Sequence, residues 1–262
     1  MTDPIAIADL GAGERKALTR LILSLADSKR LMGIRYSDWL LGAPSVETGI
    51  AASSMTQDEW GHARLLYAML KDCDMDPKEV EHGRKAENYA NVDVLDEAFG
   101  DWAAVVAGMV VVDGALTAVL GSLAAGRCEV ARTRIPKMLA EEEFHVSLAA
   151  AWFRRLAQSG GEALQKLRDA TEAMLPPVLA WVGADDEVMK TLSDAGLVGT
   201  ADDRLASFRD DVRDLLATAG VDVDAVQAAD AWDAARGRGP GHPDADAIER
   251  ARGDRNRMLF VE

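Results

Sequence analysis

The sequence predicts an all-α protein, and three observations carry that prediction. Nearly every long segment is rich in Ala, Leu, Met, Glu and Arg, residues that lose little freedom in a helix. Alternating Val, Ile and Tyr patterns of the kind that make strands are absent. Gly and Pro fall at intervals that punctuate the long segments, at Gly42, Pro44, Gly126, Pro136, Gly160 and Gly161.

The elements follow in order. A first helix runs from about Glu14 to Leu41 and is closed by Gly42. Pro44 sits at the start of the second, about Ser45 to Asp72, since a missing N–H costs nothing in a first turn. A polar loop, about Asp74 to Asn91, holds Pro77, Gly83 and Asn91 and leads to a third helix, about Leu95 to Ala125, which Gly126 ends. Pro136 places the first turn of a fourth, reaching about Gln158. Shorter helices are expected at about Glu162–Val182, Ala201–Ala219 and Asp224–Ala235, followed by a Gly/Pro/Asp-rich stretch from Gly237 to Asp246. The domain organisation is therefore an N-terminal tail over 1–13, a four-helix bundle over 14–158, additional helices packed on it over 159–236 and a polar C-terminal tail over 237–262.

Composition narrows function. The 29 Lys plus Arg against 44 Asp plus Glu give a net charge of −15, which opposes contact with a phosphate backbone, so no nucleic-acid partner is expected. Cys73 and Cys128 stand far apart and outside any CxxC spacing, which points to a reducing, cytoplasmic setting. The stretch from Trp102 to Gly126 is long enough to span a bilayer and carries one charge, Asp113. Acidic residues precede it, arginines follow it, and no second span would shield that carboxylate, so a core helix of a soluble bundle is expected and no membrane partner.

The chemistry lies in two strings, Glu59-Trp60-Gly61-His62 and Glu142-Glu143-Phe144-His145, both Glu-x-x-His. Residues three apart on a helix share a face, so two such helices can aim one Glu and one His each at a common metal. Such a bundle also asks for one inward carboxylate from each of the other two helices. Asp113 meets that demand, because a buried lone carboxylate is costly unless a metal or hydrogen bonds compensate it. The first helix does not. Asp113 precedes Glu142 by 29 positions, and the same offset before Glu59 reaches Arg30, or Lys29 if the loop is one residue longer. Asp27 is near enough to be recruited by a shifted register. Alternatively, Lys29 points its ammonium into the site and neutralises the carboxylates in place of a metal ion. Asp58 and Glu141 are candidates to orient the free ring nitrogens of the histidines, or simply solvated.

The run Ala43-Pro44-Ser45 through Gln57-Asp58-Glu59-Trp60-Gly61-His62-Ala63-Arg64, with Glu141 to His145, resembles the phenylacetic acid catabolic protein family over about Ala17 to Leu156. Members are ferritin-like subunits of a multicomponent phenylacetyl-CoA epoxidase. The resemblance implies an all-α ferritin-like four-helix bundle with additional C-terminal helices. It implies Glu59, His62, Asp113, Glu142 and His145 as ligands of a di-iron centre, with manganese as another metal, and a sixth ligand, a glutamate, where this chain has Lys29. A related ferritin-like subunit, a separate reductase and an acyl-CoA substrate are the implied partners. The catalytic reading makes Glu59, Asp113 and Glu142 part of an oxygen-activating site that epoxidises the ring of an aryl-CoA thioester. The segment Leu25 to Gly33 looks more like the family's metal-free scaffold subunit, and a metal-storage relative would use the same ligands. Arg127, Arg132, Arg134 and Lys137 form the dense basic cluster that would meet acyl-CoA phosphates or an acidic neighbouring subunit. Trp39, Trp60 and Tyr67 read as core aromatics, and His82 and His242 as surface residues.

Overall fold

The computed structural model describes residues 3–253; residues 1–2 and 254–262, the outer ends of the two expected tails, lie outside the described residues. The first helix, α1, is Ala12–Ser37, opened where the Gly11 N–H donates to Glu14 Oε2. It stops short of the expected Leu41, and the Ser37 hydroxyl takes up the Ile34 carbonyl at 2.7 Å as the chain turns. The second, α2, is Val46–Met69, with the Ser45 hydroxyl accepting the Thr48 N–H. A 3₁₀ turn continues it to Cys73, and Asp74 ends it in the left-handed region.

The expected loop contains a short helix, α3, Pro77–His82, started by Pro77 and capped by Asp76. The third bundle helix begins at Trp102, seven residues later than expected, because Asp101 Oδ1 caps it on the Ala104 N–H and Asp93–Asp96 form a separate 3₁₀ turn. It is also interrupted. A wide π turn, Met109–Asp113, separates α4, Trp102–Gly108, from α5, Gly114–Ala125. The fourth, α6, runs Glu129–Ser159, so Pro136 is not in its first turn but inside the helix, on an exposed position. One lost rung on the solvent side is tolerated there.

The C-terminal part departs further from expectation. Helix α7 is Gly161–Val182, α8 is Glu187–Asp194 and α9 is Ala201–Ala217. No helix forms over the expected Asp224–Ala235. Instead the carboxylates of Asp222 and Asp233 accept nearby backbone N–H groups of Asp224, Ala235 and Arg236, an alternative to the helical ladder. Within the expected polar tail, Ala245–Arg252 forms α10, capped by Asp244 on the Ala247 N–H. The segment is held to the bundle by buried Arg238, which binds Asn91 Oδ1 at 2.8 Å and pairs with Asp96, and by ion pairs of Arg35 with Asp244 and Arg250 with Asp38.

The bundle proper is α1, α2, the α4–α5 helix and α6. Trp102–Ala125 is long and apolar enough to cross a membrane, and 83% of its most apolar window is buried inside the protein. A helix apolar on nearly all sides is what the centre of a large bundle needs. Its burial brings Asp113 into the middle of the molecule.

Candidate functional site

Four bundle helices each send ionisable side chains to one buried point. From α1 comes Lys29, from α2 Glu59 and His62, from the π turn Asp113, and from α6 Glu142 and His145; all six are buried. The lysine is at the centre. Its Nζ donates to Glu59 Oε1 at 2.8 Å, Asp113 Oδ1 at 2.6 Å and Glu142 Oε1 at 2.5 Å. An ammonium has three protons and no lone pair, and here each proton has its own carboxylate.

The remaining polar atoms of the cluster are largely taken up. Tyr36, two helical turns after Lys29, donates its hydroxyl to Asp113 Oδ2 at 2.8 Å. His145 Nδ1 lies 3.1 Å from the same oxygen and 3.3 Å from Glu142 Oε2. Thr117 reaches Glu142 Oε2 at 3.3 Å. His62 Nδ1 approaches Glu142 Oε1 at 3.0 Å without completing a hydrogen bond, and Glu59 Oε2 is buried with no partner among the described residues. The outer ring nitrogens face acids across the helix pair, His62 Nε2 to Glu141 Oε2 and His145 Nε2 to Asp58 Oδ2. Asp58 and Glu141, open between an orienting and a solvated role, are partly exposed and each face a ring nitrogen.

The charges balance inside the cluster. Burial pulls against the Lys29 ammonium, and the carboxylates of Asp113, Glu142 and Glu59 outweigh it and hold its pKa well above the usual lysine value. Burial pushes Glu59 well up, reinforced by neighbouring Asp113. Asp113 is held low despite burial and the nearby Glu142 charge, by Lys29 and His145. Glu142 is held well below the usual carboxylate range, against its burial, by Lys29 and both histidines. His145, against its own burial, is raised to about 11 by its hydrogen bonds to Asp113 and Glu142. The cluster thus sets the Lys29 ammonium and the His145 ring against the carboxylates that bind them.

The donor set can be tested against a metal. Ligand atoms of Glu59, Asp113, Glu142 and His145 all lie within 4.8 Å of one another, close enough to share an ion. The middle of that set, however, is where the Lys29 ammonium sits, bonded to three of the four. The residues as arranged fit an internal cation and not a two-metal centre, since Lys29 takes the space between the carboxylates.

Asp27 does not join the cluster. Its carboxylate is buried on another side of α1, where it pairs with Arg84, accepts the Tyr67 hydroxyl at 2.5 Å and accepts the Ala90 N–H at 2.8 Å. Three donors compensate it fully, so the offset that reached Lys29 is the one the bundle uses. Tyr67 is correspondingly buried, and the Trp60 indole lies against α1 at Gly33, where a Cβ would come within 2.5 Å of the indole nitrogen. Trp39 and Trp102 pack together with ring centroids 6.1 Å apart. The basic cluster is dispersed. Arg127 caps the Asp3 carbonyl, Lys137 pairs with Glu141 at 3.4 Å, and the cleft beside Arg134 is shared with Asp72 and Glu129. His82 borders Glu81, and His242 contacts the Pro243 carbonyl.

Tyr36 and Thr117 are the cluster residues that pattern reading passes over. Tyr36 had a signal, since its spacing of seven from Lys29 puts both on one face of α1. Thr117 had none beyond lying one turn after Asp113.

A family described as phenylacetic acid catabolic protein matches residues 1–239 of the chain. No curated protein matches it.

Proposed function

The chain belongs to the phenylacetic acid catabolic protein family, and from that premise we propose that it is a ferritin-like scaffold subunit of a multicomponent, cytoplasmic aryl-CoA oxygenase, with Lys29 in place of a metal centre. The observation that carries this reading is the trio of short contacts from Lys29 Nζ to Glu59, Asp113 and Glu142. A metal-centred bundle uses its ions to hold four helices at one buried point. Here the ammonium ties α1 to α2, the π turn and α6 by the same carboxylates.

In this role the chain's residues keep a shape and move no electrons. Lys29 and protonated His145 neutralise Asp113 and Glu142, Tyr36 and Thr117 take up remaining lone pairs, and Glu141 and Asp58 fix the ring planes of the histidines. Oxygen activation, acyl-CoA binding and contact with the reductase then belong to the related subunit that this one supports. The competing reading, a di-iron epoxidase subunit, draws on the same four close ligand atoms, and it requires Lys29 to leave the centre.

Metal content after anaerobic iron loading separates the two. The scaffold reading expects no bound iron in the wild-type chain and bound iron in Lys29→Glu, which restores the sixth carboxylate and removes the internal cation. Stoichiometric iron in the wild type, lost in Glu142→Ala, would overturn it.

A further inference from the structure

The outward side of α2 carries no function in the cluster, yet it is unlike the rest of this acidic surface. Val46 and Ile50 are 77% and 67% exposed, and with Leu41 on the preceding turn, at 102%, they are the three most exposed large hydrophobics among the described residues. Beyond them the same face presents Ser54, Gln57 and Gly61. The fully exposed charges on it are Glu47 at one end and Arg64 at the other, while half-buried Asp58 lies along its edge facing His145. In a chain of net charge −15, about five turns of helix surface with one fully exposed acid, at one tip, is a local exception.

Gly61 sharpens the point. Glycine in an exposed helix interior is less favourable than alanine, so it calls for a reason. Nothing in the protomer supplies one: Gly61 has no positive φ, and a Cβ built on it would meet no atom within 4 Å. Gly33, on the neighbouring helix, shows the contrast, because Trp60 fills its space. Gly61 leaves that spot of the outer helix surface without a side chain.

The face is complementary to itself. A two-fold axis crossing α2 at the level of Met55 and Thr56 would lay two copies of the helix antiparallel. Ile50 then stands opposite Gly61, a large apolar side chain over a position that has none, on both sides of the axis. Glu47 stands opposite Arg64, again twice, while Ser54 meets Gln57 and Val46 meets Leu65. We infer that this chain self-associates through the outer face of α2, the partner being a second copy packed antiparallel in that register. The inference is independent of whether the buried cluster holds Lys29 or a metal.

Charge reversal tests it on the full-length chain. Sedimentation velocity from low to high micromolar concentration is expected to show a concentration-dependent dimer. Glu47→Arg and Arg64→Glu each place like charges together at both ends, and each weakens the dimer by about tenfold or more. The double variant E47R/R64E restores it, because the reversed pairs are again complementary only if the partner carries the same change. Ile50→Glu abolishes it, with circular dichroism confirming that the exposed substitution leaves the helices intact. A chain that stays monomeric throughout, single reversals that leave a dimer unchanged, or a double variant as weak as the singles would each overturn the inference. The last of these would assign the face to a different subunit.

Discussion

Glu141 lies beside Glu142 on α6 and reaches across to α2, where its Oε2 stands 2.9 Å from Nε2 of His62. The reverse relationship holds between Asp58, beside Glu59 on α2, and Nε2 of His145 on α6, at 3.5 Å. Each helix therefore supplies both a histidine and the acid that orients the other helix's histidine. The arrangement locks α2 and α6 in register whatever occupies the centre. Both acids are partly exposed, so their share of the stability is modest and screened by salt.

Removing the central cation should be costly. Lys29→Met leaves Asp113 and Glu142 as buried carboxylates facing one another without their shared ammonium, a loss of about 3–5 kcal/mol by analogy with broken buried pairs. Urea denaturation at neutral pH measures it. The deficit should shrink in acid as the carboxyls take up protons. A loss below about 1 kcal/mol would mean that the ammonium is not what holds the cluster together.

His145 gives the pH dependence a sign. Its folded pKa is raised to about 11, above an unfolded value of about 6.5. Its contribution is fully present below the unfolded value and is lost as pH rises toward the folded one. Wild-type thermal stability should therefore fall between about pH 7 and pH 11, and His145→Gln should flatten that slope. Parallel slopes for the two proteins would show that His145 is not a buried cation.

Asp27 should matter for stability alone. Asp27→Asn removes the charge that Arg84 and Tyr67 are built around, at a cost of about 3 kcal/mol. In the Lys29→Glu background it should leave iron binding unchanged. Iron lost from that double variant would place Asp27 in the metal site after all.

Gly33 of α1 lies against the Trp60 indole. Gly33→Ala puts a methyl where the indole lies, and the strain should cost about 1–3 kcal/mol and alter the tryptophan emission. An unchanged melting temperature would show that the indole moves aside freely.

Much of this site was legible in the sequence because its chemistry is written in spacing. Two Glu-x-x-His pairs and one acid in an apolar run are enough to place Glu59, His62, Asp113, Glu142 and His145 together, and the helical offset reaches Arg30, or Lys29 with a loop one residue longer. What the offset leaves open is which of Arg30, Lys29 and, by a shifted register, Asp27 turns inward. That choice rests on Arg84, which comes from the connection after α3 and meets Asp27 across 57 positions of chain. Long-range pairs of this kind have no local pattern. The same reason hides α10, whose eight residues are anchored by Arg35 and Arg250 rather than by an apolar stripe of ordinary length. Pro136 misled in the opposite way: a strong local signal for a helix start was overridden by a helix already under way from Glu129.

The π turn at Met109–Asp113 can be regarded as a phase shift in the helix. One residue more than the α repeat requires is accommodated there, and each residue of a helix advances the side chains by about 100°. Everything from Asp113 onward is thus rotated relative to the face that α4 presents. Deleting a single valine from Val110–Val112 would let the hydrogen-bonding ladder run straight through and swing either the Asp113 side or the Trp102 side of the helix out of register. The direction in which that carboxylate points is therefore set by a miscount in the backbone, so two chains with identical inward-facing residues but different lengths over this stretch would not share the same buried centre.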